Sequence, residues 1–477
     1  MVKSIFNNVI VRIKNHYLFL ILLISLLIRL FYLSFNHSLW WDSHVYIGMG
    51  KYIFSQGNIG IWESFRPLVH PFILGLLWKL RFDTLIVGKI LDVLFSLTAV
   101  YLVYLVGKKV WNKKVALIAA IIFSLTPIFV LHTGLILTEP LAVTLGLLGV
   151  YLFLGSRSVL KLFFSGFLLA LSFLTKFPQG IIFGTLFLII IIRKENLFKK
   201  IKQLFIFGSG FLVLTIPYLI FNYFQYSNPF EPFIAGSWIV STSTWLYGTG
   251  ISYYLTHFFL LNFVYLFYFV YIYYFFKNES WKEENKLIIF LIPLLILLYF
   301  TFFVPRKESR YLVTVVPFLS LLVSVVITKF YQKIKMVKKP VITPLAMIVL
   351  VIVLILLPLP GRLHFDQPPT FENEIVNSII KYNLTGTVLT SDPSFVSFLD
   401  QRVVTLDGME FASIVYSRNK NNYDLIFINS CDFICAPGDK SCQEQKLLFF
   451  NTLNSDNKLL FEKSYPKCNY HIYMPKT

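Results

Sequence analysis

Two carboxylates in this chain stand where a proton can be taken at a membrane surface. Asp42 directly follows Trp40 and Trp41, where the first long apolar run ends. Glu139 opens a later apolar run, within Leu137-Thr138-Glu139-Pro140. A carboxylate held near an interface can serve as a general base. Each position also has a plainer reading. Tryptophans at a membrane exit form an interfacial belt, and Thr-Glu-Pro suits a helix start, where an acid complements the helix dipole. Their combination with an outer loop of about 48 residues (36–83) favours chemistry, because joining two spans needs far less chain. That loop holds Trp40-Trp41-Asp42-Ser43-His44-Val45-Tyr46, then a short amphipathic helix with Val45, Met49, Tyr52 and Ile53 on one face. Arg66-Pro67-Leu68-Val69-His70-Pro71 follows and opens an apolar stretch to Leu80. The loop is expected to lie on the membrane surface and to build a cavity there.

The elements that must carry these residues follow from composition. The chain has 477 residues, 56% of them hydrophobic and 14% charged. With a mean hydropathy of +0.69 it needs a bilayer to hide its apolar surface. Of its net charge of +19, all the excess lies in residues 1–360, with 32 Lys/Arg against 11 Asp/Glu; residues 361–477 hold 11 and 13. The basic residues sit in short loops between apolar runs, which is a topology signal and excludes a nucleic-acid surface. The runs are 17–35, 84–106, 115–132, 139–155, 160–176, 179–192, 203–222, 253–276, 286–304, 311–330 and 340–359. They predict an all-α polytopic membrane protein with about eleven transmembrane helices. Lys108, Lys109, Lys113, Lys114, Lys199, Lys200, Lys338 and Lys339 mark the cytoplasmic loops. The N-terminus is then cytoplasmic and the C-terminal domain extracytoplasmic. Within the spans Arg29, Lys89 and Asp92 carry charge, and Lys89 and Asp92 are three residues apart, so they can pair on one helix face.

Residues 361–477 read as a small α/β extracytoplasmic domain, set off by Pro358, Pro360, Pro368 and Pro369. Helices are predicted near 371–383, 410–418 and 443–453, and strands at 387–391, 402–406, 423–430 and 457–465. Cys431, Cys435, Cys442 and Cys468 all lie in this domain. An even number in an exported domain points to one or two disulfides; a zinc site is the rival, without paired short knuckles to support it.

The order of motifs resembles the C-type membrane glycosyltransferases, in particular the branch of protein O-mannosyltransferases and aminoarabinose transferases. Those enzymes carry an Asp, often Asp-Glu, at the start of the first outer loop, then a Tyr, then a basic-Pro segment. An acid-Pro follows in the second outer loop and an Arg-Tyr pair enters a late span. Here the matching residues are Asp42 and Tyr46, Arg66 and Pro67, Glu139 and Pro140, and Arg310 and Tyr311, with Leu174-Thr175-Lys176 matching a Leu-Thr-Lys element. The resemblance covers residues 17–330. Ser43 stands where many relatives have a second acid, which removes one ligand of a two-carboxylate site.

The resemblance implies a sugar donor joined to a polyprenyl or dolichyl phosphate, and a transferase domain (1–360) whose loop 36–83 carries catalysis. Asp42 is then the candidate base, and Glu139 orients the acceptor or holds a cation. Arg66, Lys176, Arg306 and Arg310 are candidate ligands of the donor phosphate, with Lys307 behind them. Tyr46, His70 and Tyr311 are weaker substrate-binding candidates, and His132 is another. The metal is unknown, and a divalent ion is among the candidate cofactors. The acceptor, whether protein, lipid or glycan, is open. A multi-span transporter or lipid flippase is the alternative, but such a protein is expected to show repeat symmetry and polar residues at mid-membrane.

Overall fold

The computed structural model describes residues 2–34, 39–242, 244–336, 386–406, 408–420, 422–464 and 468–476, with Asn377 and Lys381. Inside hydrocarbon each backbone N–H and C=O must bond within its own segment, so the apolar runs fold as helices. Five described helices are long and apolar enough to cross a membrane: His16–Ser34, Thr84–Val110, Leu197–Tyr226, Glu284–Phe302 and Val316–Lys333. Thr138–Phe153, Val159–Thr175, Phe177–Ile192 and Phe263–Lys277 are shorter apolar helices. The protein is a multi-pass membrane protein. Phe198, Phe205 and Phe224 stand exposed along Leu197–Tyr226, as lipid-facing side chains do. Two predicted runs are broken. The run 115–132 divides at Thr126, where Pro127 opens a second short helix. The run 253–276 divides at Asn262, whose side chain accepts from the Val264 amide at 3.0 Å. The eleventh run, 340–359, and the boundary prolines lie outside the described residues, as does nearly all of the predicted helix 371–383.

By internal contacts the chain divides into two compact units, Met1–Asn36 with Lys89–Phe365, and His37–Gly88 with Asp366–Thr477. The first outer loop thus folds with the tail, whereas sequence grouped it with the spans.

In the helical unit, Thr138–Phe153 and Val159–Thr175 form an antiparallel pair. A side chain at Gly149 would come within 2.8 Å of Leu169, and Ser165 Oγ donates to the Gly149 carbonyl at 2.8 Å. This pairing returns the chain after Thr175 to the end of the bundle at which Thr138 begins.

The other unit is built on a five-stranded sheet. Strands β1 (Thr387–Thr390), β2 (Arg402–Thr405), β3 (Leu425–Asn429), β4 (Asn457–Ser464) and β5 (Asn469–Pro475) take the order β2-β1-β3-β5-β4. Pairs β1–β2 and β1–β3 are parallel; β3–β5 and β4–β5 are antiparallel. Sequence missed β5, a short strand at the chain end. Alternation along the strands produces two apolar faces. Leu389, Ile426, Ile428 and Tyr473 pack with residues of the helices Gly408–Asn419 and Lys440–Asp456. On the opposite face Val388, Val403, Leu425 and Phe427 pack with Val45, Met49 and Ile61 of the loop. The loop helix Trp41–Phe54 therefore lays its apolar face on protein, and the expected surface helix is corrected: Val45 and Met49 are fully buried. Gly60 ties the loop to the sheet edge, donating to Gln401 O at 2.8 Å and accepting from Val403 N at 2.9 Å. Its φ of +91° and a Cβ position 2.1 Å from the Gly48 carbonyl oxygen leave room only for glycine. The four cysteines form the disulfides Cys431–Cys468 and Cys435–Cys442, which removes the zinc reading.

Candidate functional site

The proposed catalytic residues fall into two clusters, one in each unit. In the sheet-backed unit the helix Trp41–Phe54 begins without a side-chain cap, and Asp42 occupies its first turn. Arg66 Nη2 donates to Asp42 Oδ1 at 2.8 Å and Arg66 Nε to Glu63 Oε2 at 2.7 Å. Arg66 Nη1 reaches the Tyr46 hydroxyl at 3.5 Å. The guanidinium also covers the Phe65 ring at 4.7 Å, and Tyr46 meets His70 edge to face at 5.5 Å. The side chains of Asp42, Glu63 and Arg66 are 15%, 4% and 13% exposed, so the charges hold one another in a largely dry setting. Burial alone would lower the Arg66 pKa, but Asp42 and Glu63 outweigh it and raise the value well above the usual range. Among the described residues three of the five guanidinium N–H groups are engaged, which leaves two.

Glu63 was missed as a site residue, although its i,i+3 spacing to Arg66 was readable. It supplies near Asp42 the second carboxylate that Ser43 does not. The positive charge that this carboxylate pair requires comes from Arg66. Among the described residues no three His, Cys, Asp or Glu side chains gather as a metal site. Two residues along the loop helix from Asp42, His44 Nδ1 lies 2.7 Å from Ser397 Oγ. Burial lowers the His44 pKa to about 4, so it is neutral at physiological pH.

In the helical unit Glu139 lies in the first turn of Thr138–Phe153 and Lys176 is the C-cap of Val159–Thr175. Phe177-Pro178 follows, and the residue before a proline disfavours helix. The antiparallel pair thus delivers Lys176 Nζ to Glu139 Oε1 at 2.5 Å. Glu139 is 3% exposed, and His132 and Arg310 lie within its electrostatic reach. The turn before Glu139 passes through left-handed backbone at Gly134 (φ +92°) and Ile136 (φ +56°). Asp92 holds that turn: its Oδ2 accepts from Gly134 N at 3.1 Å and Ile136 N at 2.7 Å. The expected pairing of Asp92 with Lys89 is therefore corrected. Buried backbone amides with no helical partner make the stronger demand on a buried carboxylate.

A second acid organises the remaining cations. Glu308 takes Arg306 Nε and Arg310 Nε, each at 2.5 Å, and accepts from the Tyr311 hydroxyl at 3.2 Å. Arg306 also stacks over Tyr247 at 3.4 Å, and Tyr311 stacks on Phe300 at 4.7 Å. Lys307 is different. Its ammonium donates to the carbonyls of Phe300 (2.6 Å), Thr301 (2.8 Å) and Val304, closing the end of Glu284–Phe302. It is a helix cap, not a phosphate ligand.

Comparison with known proteins gives the fold. Residues 65–221 match the model of the dolichyl-phosphate-mannose-protein mannosyltransferase family. The matched segment includes Arg66, His70, Glu139 and Lys176 and excludes Asp42 and Arg310. Among curated proteins none matches the chain by sequence. Among solved structures, ArnT from Cupriavidus metallidurans bound to undecaprenyl phosphate superimposes with a TM-score of 0.64 at 13% identity, over 95% of this chain and 97% of that one. The archaeal oligosaccharyltransferase AglB from Archaeoglobus fulgidus, in complex with an inhibitory peptide and a dolichol-phosphate, gives 0.58 at 12% identity, over 97% and 75%. The arabinofuranosyltransferase AftD from Mycobacteria gives 0.56 at 11%, over 97% of this chain and 40% of that one.

Proposed function

We propose that this chain, a multi-pass membrane protein with the fold of the C-type glycosyltransferases, moves a sugar from a polyprenyl-phosphate or dolichyl-phosphate donor to an acceptor at the outer membrane face. The observation that carries this reading is that, on that fold, a partly buried and a buried carboxylate each stand beside a cation. These pairs are Asp42 with Arg66 and Glu139 with Lys176. Supporting it, the matched family and two of the solved structures are described by a dolichyl or undecaprenyl phosphate.

In this reading Asp42 accepts the proton of the acceptor hydroxyl or amine as the new bond to the anomeric carbon forms. The bond from that carbon to the phosphate oxygen breaks, and the phosphate leaves with the electron pair. Arg66 keeps Asp42 ionised and aimed, and turns its two remaining N–H groups to the developing phosphate charge. In the helical unit Lys176, Arg306 and Arg310 are the cations offered as phosphate ligands, and Glu139 orients the acceptor while fixing Lys176. Tyr46, His70 and Tyr311 border these charges as substrate contacts. Hexosyl and pentosyl donors both satisfy this chemistry.

Mass spectrometry of surface glycans from a deletion strain tests the reading. A sugar should disappear on deletion, return with the wild-type chain and fail to return with Asp42→Asn. An unchanged glycan profile in the deletion strain would refute it.

A further inference from the structure

The sheet-backed unit contains an open cavity of about 780 Å³ that no part of the proposed transfer reaction uses. It is lined by Lys51, Trp78, Lys79, Arg81, Asp83 and Asp400, with Phe82 and Phe398 at its apolar side. The two acids are already satisfied. Asp400 takes Lys51 Nζ at 2.9 Å and Trp78 Nε1 at 3.1 Å. Asp83 accepts from the amides of Leu85 (2.8 Å) and Ile86 (3.0 Å), capping the helix that starts at Thr84. Lys79 and Arg81 are exposed and make no ion pair among the described residues. The pocket thus carries three cations against two acids, and Lys79 and Arg81 are the two cations that no carboxylate pairs among the described residues.

Its backbone points the same way. Helix Val69–Lys79 ends with Arg81 N bonding to Trp78 O at 2.8 Å and Phe82 N to Leu77 O at 3.0 Å. That is a helix terminus which normally takes glycine at its left-handed residue. Here the residue is Arg81, at φ +64°. An arginine kept where glycine would be less strained suggests a use for its side chain. Beside it runs an apolar stripe at helical spacing, Phe72, Leu76 and Leu80, all exposed, continued by exposed Phe82 and Ile86 at the start of the span.

We propose that this cavity binds the phosphate headgroup of an anionic phospholipid of the outer leaflet, with Lys79 and Arg81 as ligands and the acyl chains along Phe72, Leu76 and Leu80. Two cations without carboxylate partners complement a phosphodiester, and an adjoining stripe of exposed apolar side chains complements its tails. The inference needs the outward orientation of the loop but not the transferase chemistry.

The test uses the full chain in nanodiscs of equimolar phosphatidylcholine and phosphatidylglycerol, released into detergent and weighed by native mass spectrometry. Wild-type protein should retain one phosphatidylglycerol through washing that removes phosphatidylcholine. The double variant Lys79→Gln/Arg81→Gly should retain it at least about tenfold less, since contacts to charged groups are individually strong. Glycine suits the left-handed backbone, so this variant should fold at least as well as wild type. Equal retention of both lipids, or unchanged retention in the double variant, would overturn the proposal and leave only interfacial anchoring. Displacement by inorganic phosphate would also overturn it, by assigning the site to a free anion.

Discussion

Asp42 and Glu139 are both carboxylates at helix starts with a basic partner, yet they are held in opposite ways. Asp42 rides on a helix packed against a sheet, and its partner Arg66 is shared with Glu63 and braced by Tyr46 and Phe65. Glu139 is held by helix ends, with Lys176 delivered by one antiparallel neighbour and the preceding turn gripped by Asp92. In the first cluster side chains position side chains, with donors left over. In the second, backbone amides do the positioning and the pair is nearly closed. A group that must exchange partners during reaction belongs in the first setting, and a group that must stay fixed belongs in the second. In the proposed reaction that contrast suits Asp42 to the role of base and Glu139 to orientation.

The sharpest way to break this comparison is to neutralise each acid in turn. Asp42→Asn keeps shape and hydrogen bonding but removes basicity, so transfer should fall by at least about 100-fold. Glu139→Gln should cost clearly less. Equal losses, reversed by neither metal addition nor chelation, would show that the two units contribute alike. A loss on chelation confined to the wild type would give Glu139 a cation to hold.

Removing the cations should separate the clusters further. Arg66→Ala should weaken donor use by tens of fold, and Arg66→Lys should recover only part, because an ammonium cannot span Asp42 and Glu63 as a fork does. Lys176→Ala strands a buried carboxylate, which destabilises by about 3–5 kcal/mol. Adding Glu139→Gln to Lys176→Met should therefore restore thermal stability without restoring activity. If Arg66→Ala instead behaves like Lys176→Ala, losing fold and not donor use, the contrast between open and closed clusters fails.

The turn that presents Glu139 offers a smaller effect. Asp92→Leu leaves two buried amides without an acceptor, at about 1–3 kcal/mol for each unsatisfied group. Asp92→Asn keeps an accepting oxygen and should retain most activity. A shift in acceptor KM with little change in kcat is the signature expected of a positioning residue; equal activity of the Leu variant would deny Asp92 that role.

What sequence revealed, and what it did not, follows the same division. Asp42, Arg66, Glu139 and Lys176 were legible because ionisable residues beside apolar runs are rare and each needs a reason. Every described apolar run proved helical, since hydrocarbon leaves the backbone few alternatives. Glu63 and Glu308 were passed over because an acid in a polar loop carries no such signal. Sequence pairs Asp92 with Lys89 because helical spacing is visible there and a distant turn's unpaired amides are not. The helix Trp41–Phe54 was assigned to the membrane surface on its amphipathic pattern. That pattern reports an apolar covering but not which one, and the covering is a sheet more than 300 residues further along the chain.

His44 gives the finest separation, because it tests whether that sheet truly holds the Asp42 helix. Buried against Ser397, it has a folded pKa of about 4, against about 6.5 for an exposed histidine. Between these values the unfolded chain binds the extra proton and the folded chain does not. The contribution is complete well above pH 6.5 and is lost as pH falls towards 4, by about 1.4 kcal/mol at pH 5.5. Hydrogen exchange, corrected for its intrinsic pH dependence, should therefore show β1 and β2 opening more readily at pH 5.5 than at pH 7.5. His44→Asn keeps a polar partner for Ser397 and carries no titrating ring, so its opening should be flatter with pH. The amides of Thr138–Phe153 should be indifferent to this substitution. If wild type and His44→Asn respond to pH alike in β1 and β2, then His44 is not held neutral by the sheet. The account of how the tail supports Asp42 would then rest on the packing of Val45, Met49 and Ile61, the Gly60 hydrogen bonds and the Lys51–Asp400 pair.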